Sequence, residues 1–292
     1  MMQDISESEL FKGRLEKGKF YDFETPYGYG GALCDSDIPE VSQINFLKEI
    51  IEFCKGNSII SQFVRFHPLL GNHDKLDLVI EKRYMRDTIF IDTESPELIM
   101  SNMDSKNRNM VRKAKKNNVE IVVKPIDEYD EFIDMYVETM KNNDADEYYT
   151  FHEDYFQSLK TMEENACIFY AMLDEKPISA SIMYYNDKFM HYHLSGTHFE
   201  YRKFSPGNLL LYEAACWASE RGIKMFHLGG GMAPDDSLFG FKKQFNKNGR
   251  LPFYVGKTVF DQEGYDTLLS IRKDIDPEFD INNGFMIQYR RP

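Results

Sequence analysis

The residues with the most chemistry to offer stand between 226 and 245, in FHLGGGMAPDDSLFGFKKQF. Phe226, His227 and Leu228 end a run with strand character, and Gly229, Gly230 and Gly231 follow directly. Glycine reaches backbone angles that other residues do not, so this triplet lets the chain bend and approach a bound group closely. Pro234, Asp235, Asp236 and Ser237 read as a helix start, with a capping side chain and negative charge at the positive end of the dipole. The helix that follows carries Phe239, Phe241, Lys242, Lys243 and Phe245. This is either a substrate site or a tight connection with a solvated basic face.

A second concentration of charge lies at 106–116. Lys106, Arg108, Arg112, Lys113, Lys115 and Lys116 stand together with no acid from Ser105 to Val119, in a chain whose formal net charge is −13. The patch is either a solvated helix face or a site for phosphates of an RNA end or a phosphorylated precursor, with Arg112 and Lys113 as candidate contacts. Near the N-terminus, FYDFETPYGYGG (20–31) sets Tyr27 and Tyr29 among glycines. That loop is a stacking platform for a sugar or base, or a turn pinned by aromatics. His191 and His193 share one face of a strand; packing and hydrogen bonding are the commoner use of such a pair, and no metal is expected. Cys34, Cys54, Cys167 and Cys216 lack CxxC spacing and read as reduced thiols.

These groups need a scaffold. A chain of 292 residues forms one large or two medium domains, and 42% hydrophobic with 28% charged residues is ordinary for a soluble globular protein. A charge of −13 argues against a protein that coats nucleic acid, while leaving room for a local basic site. No apolar run approaches the roughly 18 residues that cross a bilayer. The polar, acidic start MMQDISESELFKG is not a secretory signal, so the expected compartment is the cytoplasm.

In chain order, helical spacing predicts an amphipathic helix over 41–55, and β-rich runs predict strands at 58–66, 76–84 and 88–93. One helix is expected over 95–118, opening on Ser95-Pro96-Glu97, then a strand at 119–125. There the composition turns acidic: between Asp127 and Asp154 the only basic residue is Lys141. Strand and charge switch coincide, which places a domain boundary at 124, giving domains 1–124 and 125–292. The second half continues with an acidic amphipathic helix and a meander of three strands, 166–173, 178–186 and 188–196. A helix over 205–222 follows, with Ser205 as cap, Pro206 in the first turn and Gly222 past its end. The strand into Gly229–Gly231, the lysine helix, a strand at 252–260 and a helix at 264–274 complete the chain.

Meander, loop, helix, strand, helix, strand is the layout of the GNAT acyltransferase fold, which this half resembles. In that fold the turn after the fourth strand presents backbone N–H groups to the donor's phosphates, as helix starts in general do. Its signature is Gln or Arg, two residues, Gly, one residue, Gly or Ala. Here Arg202 and Gly207 fit, Ser205 replaces the first glycine, and Pro206 lacks an N–H. RNMVRKAKKNNVEI (108–121) and LGGGMAPDDSLFGFKKQF with FYVGKTVF resemble one branch more closely, the FemA/FemB/FemX-type tandem-GNAT transferases, over about residues 88–275.

The resemblance implies an α/β (α+β) chain of two GNAT-like domains, each a mixed, largely antiparallel sheet flanked by helices, with the active site in the second. It implies an amide-forming aminoacyltransferase of cell-wall biogenesis, moving an amino acid from aminoacyl-tRNA onto a phosphorylated peptidoglycan precursor, with the tRNA acceptor end as partner. The alternative is an acyl-CoA-dependent N-acyltransferase acting on a sugar nucleotide or polysaccharide intermediate. Either donor is a co-substrate and no cofactor is permanently bound. A third reading is a non-catalytic glycan- or nucleotide-binding protein, suited by the Tyr27–Gly31 loop.

The family's reaction centre falls on Phe241 and Lys242. At about 100° per residue, Leu238, Phe241 and Phe245 share a face, Lys242 flanks it, and Lys243 points to solvent. A half-buried ammonium stabilises the oxyanion formed when an amine attacks an ester or thioester. His193 is a candidate base. Arg202, Ser205, Gly207 and Asn208 are implied on the donor side. Gly229, Gly230, Gly231, Asp236, Tyr27, Tyr29, Arg112 and Lys113 are implied on the substrate side.

Overall fold

The computed structural model describes residues 1–26, 28–33, 38–76, 81–142, 151 and 153–292. It divides into two compact units, Met1–Arg86 with Pro252–Pro292, and Asp87–Leu251. The chain passes from one to the other inside strands β4 (Glu81–Asp92) and β10 (Arg250–Val259). The charge switch at 124 therefore falls within the second unit, in a strand, and not between the units.

In the first unit β1 (Met2–Asp4) lies antiparallel to β2 (Tyr21–Glu24), β2 parallel to β3 (Ile59–Arg65), and β3 antiparallel to β10. Helix α1 (Glu40–Gly56) matches the expected span, and α8 (Gln262–Ile275) buries Tyr265 and Leu268 against Ile60, Phe11 and Tyr289. The short β1 and β2 carry no pattern of alternation long enough to be legible in the sequence.

The second unit is a sheet in the order β4, β9 (Met225–Gly229), β8 (Phe189–Thr197), β7 (Lys176–Tyr185), β6 (Ala166–Leu173), β5 (Glu120–Pro125). All neighbours are antiparallel except β8 and β9. Asp174 and Glu175, both left-handed at φ 50° and 62°, turn β6 into β7, the geometry of a two-residue hairpin. Alternation along β6 splits the interior into two layers. Cys167, Phe169 and Ala171 face helices α2 (Pro96–Asn102), α3 (Ser105–Lys116) and α6 (Pro206–Glu220). Ile168 and Tyr170 face α4 (Asp130–Asn142) and α5 (Glu153–Leu159).

Two expectations are corrected. The strands 76–84 and 88–93 form one strand, β4, over their described part; residues 77–80 lie outside it. Arg86-Asp87 reads as a break, yet contains neither Gly nor Pro, and Asp87 is paired with Arg250 at 2.7 Å. The single helix over 95–118 is two, broken at Met103-Asp104, where α3 restarts with Asp104 as its cap position. Helix α5 and the short 3-10 turn Phe199–Phe204 were not foreseen.

Two features of β8 prepare the site. The β7 register steps from Ile182↔Leu194 to Met183↔Tyr192, leaving His193 as an extra, bulged residue. The parallel register with β9 ends at His191↔His227, while β8 runs on to Thr197 and β9 to Gly229. The two strands part beyond that pair.

Gly196 near the end of β8 tests the packing. A Cβ there would stand 2.5 Å from the Met135 carbonyl carbon and the Tyr136 nitrogen, both α4 backbone. Gly196→Ala is expected to cost about 1–3 kcal/mol in urea unfolding. Gly240→Ala, where an added Cβ meets nothing within 4 Å, is expected to be neutral or to gain up to about 1 kcal/mol. Equal losses at both positions would contradict the tight α4–β8 seam.

Candidate active site

The glycine triplet is shaped by one carboxylate. Gly229 takes φ 76° as β9 ends. Asp236 then caps α7 (Ser237–Lys243) by accepting the Phe239 N–H at 2.7 Å, and its other oxygen accepts from the Met232 and Ala233 N–H groups at 2.6 and 2.9 Å. A Cβ on Gly231 would lie 2.0 Å from Asp236 Oδ1, so only glycine fits against the cap. Burial pushes the Asp236 carboxyl up, but the backbone N–H groups from Ala233, Phe239, Met232 and Leu238 outweigh it and hold it below the usual range. Arg250 steadies the outside of this loop, 2.7 Å from Asp87 and 3.6 Å from Asp235.

Lys242 emerges from α7 into the layer of α6, only 7% exposed. Its Nζ donates to the Gly230 carbonyl at 2.7 Å and lies 5.5 Å from the centre of the Tyr192 ring. Burial pushes its ammonium down to about 8, opposed by the Asp236 charge. Lys243 is exposed. The expected face of α7 needs correction: Leu238 is 38% exposed and Phe239 is buried at 3%. The inward line is Phe239, Lys242 and Phe245, so Lys242 is at the middle of the buried face and not on its flank. The cause is the start of the helix, where the Asp236 cap turns Phe239 inward. Phe241 packs edge-on against Phe245 at 5.3 Å.

His193 is not brought to this lysine. Tyr192 belongs to the layer of α6, whereas His193, turned by the bulge, stacks on Tyr184 at 4.3 Å and bonds the Tyr155 hydroxyl, both in the layer of α4 and α5. Burial lowers its imidazole to about 4, so it is neutral at working pH. His191 sits on that side as well, edge-on to His227, which bonds the Thr88 hydroxyl at 3.0 Å. The polar groups that do share the Lys242 face are the Tyr192 hydroxyl with its bonds to Ser195 and Ser181. None of the three stands out in the sequence. The bulge decides which residues of β8 face the lysine, and the strand's composition carries no sign of it.

The turn before α6 has its own geometry. Ser205 is left-handed at φ 60° and does not cap the helix with its side chain, which donates instead to Met110 Sδ of α3 at 3.4 Å. Asn208 Nδ2 donates to Asn107 Oδ1 at 2.7 Å. Arg202 is exposed, with its guanidinium 5.0 Å over the Phe199 ring. Glu138 of α4 fixes this segment, accepting the Phe199 N–H at 2.9 Å and pairing with His198 at 2.5 Å. On α3, Asn107, Val111 and Ala114 face inward, while Lys106, Arg112, Lys113 and Lys116 are exposed. Arg112 bonds Asn109 on the same helix at 3.0 Å. Tyr29 belongs to the first unit and packs edge-on to Phe253 and His67; Tyr27 lies outside the described residues. Among the described residues no helix is long and apolar enough to cross a membrane.

Residues 102–243 match the family model for an acetyltransferase (GNAT) domain. No curated protein matches the chain. Among solved structures, a crystal structure of FemX aligns with TM-score 0.67 and 13% identity over 85% of this chain and 82% of that one. L-PGS from Bacillus licheniformis aligns at 0.53 and 14%, over 87% and 82%. A conserved protein of unknown function from Bacteroides thetaiotaomicron aligns at 0.55 and 13%, over 82% and 80%. At such identities the likeness is one of fold.

The buried ammonium predicts a pH signature. Lys242 titrates at about 8 when folded against 10.5 as the ordinary value, so between these values the unfolded chain binds more protons and stability rises with pH. Below pH 8 the cost is on the order of 3 kcal/mol. Lys242→Met is expected to gain most, relative to the wild type, below pH 8. That relative gain is expected to shrink toward pH 10.5, whatever constant offset the lost Gly230 bond adds. A flat difference between the two unfolding curves from pH 7 to 10 would contradict the burial of a charge here.

Proposed function

We propose that this chain, a GNAT-fold acyltransferase with FemX-like architecture, forms an amide by moving an aminoacyl group from aminoacyl-tRNA onto the amine of a peptidoglycan or other cell-envelope precursor. The observation that carries the reading is the buried Lys242 ammonium, held on the Gly230 carbonyl beside the opening where β8 and β9 part. When a neutral amine attacks the acyl carbon, a C–N bond forms and negative charge gathers on the acyl oxygen. An ammonium already in place stabilises that charge strongly, because little water competes for it. As the carbonyl re-forms, the C–O bond breaks and the leaving oxygen departs as a hydroxyl, taking up the proton that the attacking nitrogen gives up. A lysine near pKa 8 is mostly protonated at neutral pH yet gives up its proton readily. The glycine loop supports the reading too, since its backbone comes close to the lysine without side chains to fill the opening.

For the donor, the support is electrostatic. The exposed Lys106, Arg112, Lys113 and Lys116 of α3 and the exposed Arg202 and Lys203 beside α6 gather positive charge in a chain of net −13. Such a surface suits a polyphosphate backbone. The acyl-CoA alternative is favoured by the match to an acetyltransferase domain, and would join the same lysine to a thioester.

The donors separate in two measurements. Retention of aminoacyl-tRNA that fades as salt rises, with no thermal shift from CoA or acyl-CoAs, is the expected result. A thermal shift with CoA alone would transfer the reading to the alternative. Reversing charge at Arg112 and Lys113 together is expected to weaken tRNA retention by about tenfold or more at low salt, and unchanged retention would return α3 to a solvated face. In the transfer assay Lys242→Ala is expected to abolish turnover and Lys243→Ala to keep most of it; equal losses would remove Lys242 from the reaction centre.

A further inference from the structure

Beneath α1 the apolar core of the first unit is split in two. The helix buries only Leu47 and Cys54, and they belong to different clusters. Leu47 packs with Val64 and Phe66, Cys54 with Ile59 and Phe260. A pocket of about 330 Å3 is lined from both sides, by Leu47 and Val64 of the one and by Ile50, Ile51 and Phe260 of the other. That is the lower end of the range for small-molecule sites, about 300–1,000 Å3.

One wall is the tyrosine–glycine loop, through Tyr29, Gly30, Gly31 and Ala32. It is held in place before any ligand arrives. Asn72 Nδ2 donates to the Gly30 and Ala32 carbonyls at 2.9 and 3.2 Å, and Arg65 Nε donates to the Gly28 carbonyl at 2.9 Å. A Cβ on Gly31, at φ 95°, would lie 2.9 Å from Asn72 Nδ2, so the wall closes only with glycine there.

Two polar side chains face this pocket. Gln62 of β3 and Thr258 of β10 are register partners, so they point to the same side of the sheet, and both line the pocket. Among the described residues neither side chain has a hydrogen-bond partner. Two residues further along each strand, on the same face, Val64 and Phe260 are buried and apolar. Packing alone therefore does not call for an amide and a hydroxyl at these positions. Among the described lining residues the one charged side chain is Glu24, which is exposed.

We propose that this pocket binds an uncharged nitrogen heterocycle of the nucleobase type. The Gln62 amide offers one acceptor and a pair of donor hydrogens, the Thr258 hydroxyl takes either role, and the apolar walls hold the ring. A glutamine amide meets the edge of a base through two bonds at once. An aliphatic chain would leave both polar groups unpaired, and a phosphate or carboxylate would enter with no cation to meet it. The pocket lies wholly within the first unit, so the inference stands apart from Lys242 and the acyl-transfer reading.

The full chain is titrated by calorimetry with adenosine, uridine, cytidine and decanol, as wild type and as Gln62→Leu. At least one nucleoside is expected to bind the wild type, and Gln62→Leu is expected to weaken it by about tenfold or more. Equal affinity in the variant would place the nucleoside elsewhere and overturn the inference. Binding of decanol with no nucleoside bound would give the pocket to an aliphatic chain and overturn it as well, as would no binding of any of the four. Should Gln62→Leu not fold, Thr258→Val carries the same comparison: weaker nucleoside binding supports the site and equal binding removes it. None of these outcomes bears on the Lys242 assays.

Discussion

The architecture of the candidate site depends on a short partnership. Strands β8 and β9 are parallel neighbours for three residue pairs, and their register ends at His191↔His227. Past that point their backbone groups must find other partners, and the fold supplies them from different places. On β8 the far side is closed by α4, so tightly that Gly196 is pressed on helix backbone. On β9 the chain leaves through glycines, and the Gly230 carbonyl is satisfied by Lys242 Nζ rather than by a strand. An opening in a sheet is thus kept open by hydrogen bonds made sideways.

The electrostatics follow from the same opening. Asp236 is made comfortable as an anion by three backbone N–H groups at 2.6–2.9 Å, and it is part of the loop's framework. Lys242 has one carbonyl and one aromatic ring. The acid is well solvated by protein and the base much less so, which is why burial lowers the lysine's pKa while the carboxylate stays ionised.

Much of this was legible in the residues and some was not, for physical reasons. The meander, α6, and the sequence of strand, glycines and lysine helix announce themselves through alternation, Pro206 and Gly222 at the helix ends, and the acid-rich cap. The side of the sheet on which His193 stands was not legible, because a bulge shifts register by one residue without changing composition. Phe239 replaced Leu238 on the inner face of α7 since the cap, and not hydrophobicity, sets the helix phase. Asn107 looked like one more polar residue in a basic helix; only the three-dimensional meeting with Asn208 shows that its amide is buried. The charge switch at 124 marks a change of surface within one unit, since charge patterns report on exposed faces more directly than on where chains separate.

The route of the chain between units has a consequence for synthesis. The second unit, Asp87–Leu251, is continuous, whereas the first is assembled from Met1–Arg86 and Pro252–Pro292. When β3 leaves the ribosome its antiparallel partner β10 is nearly two hundred residues away. The inner side of β3 must wait through the translation of the entire second unit. The last forty residues therefore complete a structure begun by the first, and the nascent chain carries an open strand edge for most of its elongation.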